Sequence, residues 1–152
     1  MINEYLDESH APHFMPDTPL ERANDRMWSD FVTGLYGDVY RGYNAEDEEA
    51  ANQAFDGIRN RLARLEEEVT GPLFRGDHFT LIDATAAPPF TRLEWMERII
   101  PEADFFADTP KAKGWKEALL SRESVKNSVL PNLYDIFTER LQGGSSWLGS
   151  RL

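Results

Sequence analysis

The chain has 152 residues, with 16 Lys and Arg against 27 Asp and Glu, a formal net charge of −11 at pH 7. A chain this negative repels phosphate backbones and anionic lipid surfaces, so nucleic acid and membranes are not expected partners. The sequence contains no cysteine, which excludes disulfides, zinc–thiolate sites and a cysteine nucleophile.

The apolar share of 41% is typical of a folded domain. No stretch reaches the ~20 apolar residues that a membrane-spanning helix needs, and the N-terminus lacks the pattern of a signal peptide. At this length we expect one domain, located in the cytoplasm.

The first strong helical pattern follows a capping box. Thr18 and Glu21 flank Pro19, and the apolar spacing beyond them predicts a helix to about Arg41. Its predicted buried face is Leu20, Ala23, Met27, Phe31 and Leu35. A second helix is expected after Asn44. Its apolar stripe is Ala51, Phe55, Ile58, Leu62, Leu65 and Val69, before Gly71-Pro72.

The later elements are shorter. Thr109-Pro110 begins a helix that carries Trp115, and Pro131 begins a last helix that ends at Gly143-Gly144. No alternation of apolar and polar residues is long enough to predict a strand. The sequence therefore predicts an all-α fold, a bundle of five to six helices.

Between these helices, Thr80 and Asp83 precede an alanine-rich run. A threonine and an aspartate could be a catalytic hydroxyl and carboxylate. Their spacing, however, is that of a capping box with Asp in place of Glu, at the start of a buried helix. We interpret them as a structural N-cap and assign no catalytic residue. Pro88 and Pro89 remove two backbone donors from this helix, which predicts a kink or break near residues 84–85.

These motifs resemble the C-terminal helical domain of cytosolic glutathione transferases. The matching stretches are EYLDE (4–8), PHFMPDTPLERANDRMW (12–28) and GPLFRGDHFTLIDATAAP (71–88), with Arg92 and the Trp115 helix in addition. The resemblance implies two regions. Residues 1–15 would be a remnant of the last helix of a thioredoxin-like N-terminal domain plus a linker, and residues 16–152 the helical domain.

The resemblance also implies a function. In this family the thioredoxin-like domain binds glutathione and stabilises its thiolate, and the helical domain supplies one wall of the hydrophobic co-substrate site. The chain would therefore carry the co-substrate half of an enzyme that conjugates glutathione to electrophiles. By itself it would bind no cofactor and be inactive, with glutathione as the co-substrate of the parent family.

Two kinds of partner follow from the resemblance. One is a thioredoxin-like domain or a second copy of the chain, in a dimer or other homo-oligomer; the other is a hydrophobic small molecule. The alternative function is a stand-alone, non-catalytic protein–protein interaction module of the same fold, as in some translation-factor and synthetase complexes.

Three aromatic residues are candidates for the co-substrate wall. Tyr36 and Tyr40 lie one helical turn apart, so two phenols could stack on an aromatic electrophile and hydrogen-bond to it. Ordinary half-buried tyrosines are the other interpretation. Trp147 could cover the same cleft or simply anchor the tail. His10 and His13 lack the helical spacing and the further ligands of a metal site, so no metal is assigned.

Overall fold

The computed structural model describes residues 2–152. They form seven α-helices: α1 (Ile2–Ser9), α2 (Pro19–Asn44), α3 (Glu48–Glu68), α4 (Leu81–Ile99), α5 (Pro110–Ser121), α6 (Glu123–Lys126) and α7 (Leu133–Gln142). Short 3-10 turns lie at Pro101–Ala103 and Leu148–Arg151. Residues 2–152 contain no strand, only two isolated bridges in the loop before α4. The all-α prediction is confirmed. The helix count exceeds five to six because α1 precedes the bundle and α6 is a single turn.

Helix α2 buries only part of the predicted face. Its buried apolar residues are Trp28, Val32, Leu35, Val39 and Tyr43. Leu20 and Met27 of the predicted face are 81% and 50% exposed. The prediction is confirmed for Leu35, which is fully buried, and was wrong for Leu20 and Met27, because α2 carries apolar residues on two faces. Periodicity alone does not tell which of them meets the bundle.

Helix α3 follows its prediction closely. The side chain of Asp47 accepts a hydrogen bond from the Ala50 amide (2.8 Å), so the helix begins at Glu48. Its six predicted stripe residues are all buried. Because α3 has one apolar face only, its packing against α2 is determined by the sequence pattern.

Helix α4 lies at the centre of the bundle, against α2 on one side and α5 on the other. Its inward residues Ile82, Ala86, Phe90, Leu93 and Met96 are fully buried. The Phe90 ring packs edge-on against Trp115 of α5, with 4.7 Å between the ring centroids. This aromatic contact fixes α5 on α4.

Pro88 and Pro89 do not break α4, which runs as one helix through both. Proline has no N–H, so the carbonyls of Ala84 and Thr85 lack their regular helical partners. The packing of Pro89 and of its neighbour Phe90, both buried, holds the helix across this gap. Of the predicted kink or break, the break is therefore wrong, because tertiary packing outweighs the lost hydrogen bonds, and a kink stays a prediction.

Candidate functional site

The start of α4 is organised by Asp83, which is fully buried. The Thr80 amide and hydroxyl both donate to Asp83 Oδ2, at 2.7 and 2.8 Å. The Phe74 amide and the Trp115 indole donate to Oδ1, at 3.0 and 2.7 Å. Thr80 is the N-cap residue and its hydroxyl faces the Asp83 amide, without a full hydrogen bond to it. The pair therefore ties the loop, α4 and α5 together, and no lone pair of Asp83 faces solvent.

Next to this buried network, a cleft of about 890 Å3 opens between α1, α2 and α4. Helix α2 contributes Arg26, Met27, Ser29, Asp30, Thr33 and Tyr36. Helix α4 contributes Leu81, Ala84, Thr85, Pro88 and Pro89. Asn3, Glu4 and Met15 complete the lining. The α4 wall is thus mostly apolar, while the α2 wall carries hydroxyl groups.

Helix α1 is held at the mouth of the cleft by charged contacts. Arg26 donates to both carboxylate oxygens of Glu4, with Nε at 3.1 and 3.0 Å. These hydrogen bonds hold the pKa of Glu4 below its ordinary value, and they raise the pKa of Arg26. The Asp7 carboxylate accepts from the backbone amide of Met15 at 3.2 Å, which ties α1 to the linker. One wall of the cleft therefore depends on electrostatic contacts.

The α4 wall offers hydrogen-bond acceptors as well as apolar surface. The carbonyls of Ala84 and Thr85 have no regular helical donor because of the two prolines, and both residues line the cleft. Opposite them, α2 contributes Ser29, Thr33 and Tyr36, and the Thr33 hydroxyl donates to the Ser29 carbonyl at 2.9 Å. The cleft has the size and the mixed lining of a small-molecule site, apolar with a few polar groups.

Comparison with known proteins decides the family. A family model described as the C-terminal domain of glutathione S-transferase matches residues 26–128, more than half of the chain. The chain belongs to the glutathione transferase family. None of the helices within residues 2–152 is long and apolar enough to cross a membrane.

Individual glutathione transferases agree with this assignment. Glutathione S-transferase U19 of Arabidopsis thaliana is 32% identical over 83% of the chain, and the match takes in 58% of U19. For glutathione S-transferase U16 of the same plant the identity is 29% over 99% of the chain, and 69% of U16 is matched. The solved structure of glutathione transferase Omega 3C from Trametes versicolor superposes with a TM-score of 0.70 at 26% identity. That superposition covers 83% of this chain and 58% of the other.

In this glutathione transferase chain, the three aromatic candidates do not meet in one place. Tyr36 lines the α2–α4 cleft. Tyr40, one turn further, lines a separate depression of about 590 Å3 near the start of α3. Trp147 packs against Phe55, with ring centroids 6.1 Å apart, and its amide donates to the Ala45 carbonyl at 2.7 Å. Trp147 thus holds the C-terminal segment against the α2–α3 loop.

The histidine candidates lie outside the cleft. His13 Nδ1 lies against the backbone carbonyl of Asp7, and His10 is exposed at the end of α1. Within residues 2–152 no group of three or more His, Asp or Glu is close enough to hold a metal ion.

Sequence reasoning missed an aromatic cluster beyond the cleft, centred on Tyr43. Its ring packs against Phe137 of α7, with centroids 5.4 Å apart, and Trp95 of α4 packs on the same ring at 5.3 Å. Burial raises the pKa of Tyr43, as does the nearby Tyr36 phenol, while Arg140 and Arg92 lower it by a smaller amount. The correct apolar face of α2 would have revealed Tyr43, because it lies four residues after the buried Val39.

Proposed function

We propose that the chain is the helical half of a glutathione transferase and that its α2–α4 cleft binds the hydrophobic co-substrate. The observation that carries the proposal is the cleft itself, an opening of about 890 Å3 with an apolar α4 wall and Tyr36 on its α2 wall. The sequence likeness to U19 and U16 supports conjugation of glutathione to an electrophile as the reaction of the whole protein.

The lining fits a neutral aromatic electrophile. Met27, Leu81 and the ring faces of Pro88 and Pro89 offer apolar contact on two sides. The Tyr36 hydroxyl can donate a hydrogen bond to a nitro or carbonyl oxygen of the ligand, since phenols combine an apolar body with a polar tip. Tyr36 is therefore proposed as a co-substrate-binding residue, whereas Tyr40 and Trp147 lie outside the cleft.

Glutathione itself needs a second protein surface in this proposal. Attack on an electrophile requires a thiolate, and an ordinary thiol has a pKa near ~8.5. The cleft offers Arg26 as its basic side chain, and that guanidinium is already bonded to Glu4. We therefore assign activation of glutathione to a thioredoxin-like domain. Residues 1–15 would be the end of such a domain with its linker, and residues 16–152 the helical domain.

The exposed apolar residues of α1 support a protein partner on this side of the bundle. Ile2, Tyr5 and Leu6 are 77%, 69% and 49% exposed. These three share one face of α1, and Leu20 near the start of α2 is 81% exposed. We call these four residues the apolar surface, since exposed apolar groups mark interaction sites. We propose that a thioredoxin-like domain or a second copy of the chain binds to this surface. Because such a surface would serve binding without catalysis equally well, a non-catalytic interaction module is the second candidate function.

A titration of the chain with 1,3-dinitrobenzene, a neutral and unreactive aromatic, tests the cleft by calorimetry. We expect the wild type to bind this ligand. In Tyr36→Ala the affinity should fall about fivefold, which corresponds to the loss of one aromatic contact. Tyr40→Ala is the matched control, because Tyr40 is on the same helix but lines the other depression. Absence of wild-type binding, or equal losses in the two variants, would contradict the proposal.

Sedimentation velocity tests the second candidate function, an interaction module that binds another copy of the chain. If the apolar surface around Leu6 and Leu20 binds another copy, Leu6→Ser together with Leu20→Ser shifts the chain toward monomer. Leu130→Ser is the control, since Leu130 is 62% exposed elsewhere on the molecule. A wild-type chain that stays monomeric at high concentration rules out the second copy as occupant.

A further inference from the structure

The charged side chains of the α2–α4 cleft leave one carboxylate without a cation. Three charged residues line the cleft, namely Glu4, Arg26 and Asp30. Glu4 and Arg26 pair with each other at 3.0 Å. Asp30 is exposed, and among residues 2–152 it makes no ion pair and its carboxylate accepts no hydrogen bond. The lining therefore has one net negative charge, which a cation from outside can neutralise.

Asp30 lies level with the part of α4 that lacks hydrogen-bond donors. A Cβ at Gly42, near the end of α2, would lie 3.3 Å from the Met96 side chain near the end of α4. Earlier residues of the same two helices meet at the cleft, so α2 and α4 run in the same direction. Both rise by ~1.5 Å per residue. Asp30 precedes Gly42 by twelve residues, as Ala84 precedes Met96. Asp30 and Ala84 are therefore at about the same height on the two walls.

The α4 wall at this height presents backbone acceptors. A helix carbonyl points toward the amide four residues on. For Ala84 that residue is Pro88. For Thr85 it is Pro89, and neither proline has an N–H. The Thr85 hydroxyl does not replace them, because it donates to the Leu81 carbonyl at 2.8 Å. Ala84 and Thr85 are only partly buried and Pro88 is exposed, so a ligand can reach this part of the wall.

We propose that Asp30 and the carbonyls of Ala84 and Thr85 bind a protonated amine. The cleft then prefers aromatic ligands that carry an ammonium group to neutral ligands of the same shape. The inference rests on the proposed function, since it names a substrate class for the same cleft. A primary ammonium has one positive charge and three N–H donors, which match one carboxylate and two carbonyls. The ring of such a ligand contacts the apolar side chains of the α4 wall.

The test compares three 4-nitrobenzyl ligands that share one ring: the ammonium, the alcohol and the trimethylammonium. The alcohol lacks the charge, and the trimethylammonium keeps the charge but has no N–H. We expect calorimetric titration of the wild-type chain at neutral pH to give about fivefold tighter binding of the ammonium than of the alcohol, on the order of an exposed ion pair. The ammonium should also bind more tightly than the trimethylammonium, because the carbonyls require N–H donors.

Three variants assign these preferences to residues. Asp30→Asn should reduce the preference for the ammonium over the alcohol to less than about twofold and leave alcohol binding unchanged, whereas Asp30→Glu retains part of it. Pro88→Ala should reduce the preference for the ammonium over the trimethylammonium, because the new amide donates to the Ala84 carbonyl. Asp135→Asn is the matched control. It removes the same charge from an exposed residue of α7 that does not line the cleft, and both preferences should persist.

The outcomes separate the inference from the proposed function. Equal affinity for the ammonium and the alcohol, or a preference that survives Asp30→Asn, overturns the inference and leaves the co-substrate cleft standing. Equal affinity for the ammonium and the trimethylammonium overturns the part of the two carbonyls. If neither the nitrobenzyl ligands nor 1,3-dinitrobenzene binds, the proposed function fails and the inference fails with it. Midpoints of urea unfolding that match the wild type show that the variants fold.

Discussion

At the scale of single residues, Asp83 joins parts of the chain that are far apart in sequence. Thr80 lies three residues before it, Phe74 nine before it and Trp115 thirty-two after it. The spacing of Thr80 and Asp83 is local, so the sequence predicts their pairing as a capping box. The hydrogen bonds from Phe74 and Trp115 depend on how the loop and α5 pack, and no local pattern indicates them.

We expect Asp83→Ala to destabilise the chain by roughly 3 kcal/mol or more. The substitution leaves the amides of Phe74 and Thr80 and the indole N–H of Trp115 buried without an acceptor, each at a cost of ~1–3 kcal/mol. Thr80→Ala is the control, because it removes one hydroxyl donor and orphans no buried amide, so about 1 kcal/mol is expected. Urea unfolding measures both. A loss below ~1 kcal/mol in Asp83→Ala would show that the network is not formed.

Gly34 and Gly37 of α2 give a second residue-scale prediction. A Cβ at Gly34 would lie 2.7 Å from the Arg61 guanidinium, whereas at Gly37 the nearest atom is 3.7 Å away. The Arg61 guanidinium is fixed by its ion pair with Asp38 and by the Phe31 ring, 5.1 Å away. Gly37→Ala should stabilise α2 by ~0.5–1 kcal/mol through helix propensity. Gly34→Ala should lose this gain because Arg61 must move.

Thermal and urea unfolding of the two alanine variants decide the comparison. We expect Gly34→Ala to be at least ~1 kcal/mol less stable than Gly37→Ala, about the contribution of one charge-assisted pair. Equal stabilisation of both would mean that Arg61 is free to leave Gly34.

At the scale of whole elements, the sequence predicts helices better than their orientation. The stripe of α3 is unambiguous because its other face is charged, and all six stripe residues are buried. Helix α2 has a second apolar face with Leu20 and Met27, so these two were wrongly assigned to the inward face, whereas Leu35 was assigned correctly. That error also concealed Tyr43, and with it the aromatic cluster next to the cleft. The cleft itself requires the crossing of α2 and α4, which periodicity does not give.

Helix α1 is the element that we expect to detach first. Its apolar side chains are largely exposed, and its side-chain hydrogen bonds with α2 are those of Arg26 with Glu4 and of Arg22 with Glu8. Arg26→Gln should therefore raise hydrogen–deuterium exchange in residues 2–9 and leave α3 and α4 unchanged. Arg98→Gln is the control, since Arg98 pairs with Glu94 within one exposed helix turn. Unchanged exchange in α1 would contradict this account.

The same contact predicts a pH dependence of α1. Arg26 lowers the pKa of Glu4 in the folded chain. The Glu4–Arg26 ion pair therefore stabilises the docking of α1 above the unfolded pKa of Glu4, and this stabilisation is lost as the pH falls through the folded pKa. An unperturbed glutamate titrates near ~4.3. The fluorescence of a dye attached at position 5 measures the acid-induced release of α1. In Arg26→Gln this release should be absent. A release that is the same in both proteins would point to another carboxylate.

At the scale of the whole molecule, the chain alone should not conjugate glutathione to 1-chloro-2,4-dinitrobenzene above the buffer rate. The proposed role of the cleft is to orient an electrophile, and proximity without an activated thiolate gives little rate. Absorbance of the conjugate measures turnover, with heat-denatured chain as the control. Turnover that vanished in Tyr36→Phe would make this chain an enzyme by itself.

The most direct test of the central claim, that the α2–α4 cleft is the co-substrate site, is a nuclear magnetic resonance titration of the 15N-labelled chain with 1,3-dinitrobenzene. We expect amide shifts to concentrate in residues 26–36 of α2 and 81–89 of α4, which line the cleft, with saturation at one equivalent. The amides around Leu130 and Ile136, which carry exposed apolar side chains away from the cleft, should stay unchanged. Shifts centred on that second region, or spread evenly over the surface without saturation, would contradict the claim.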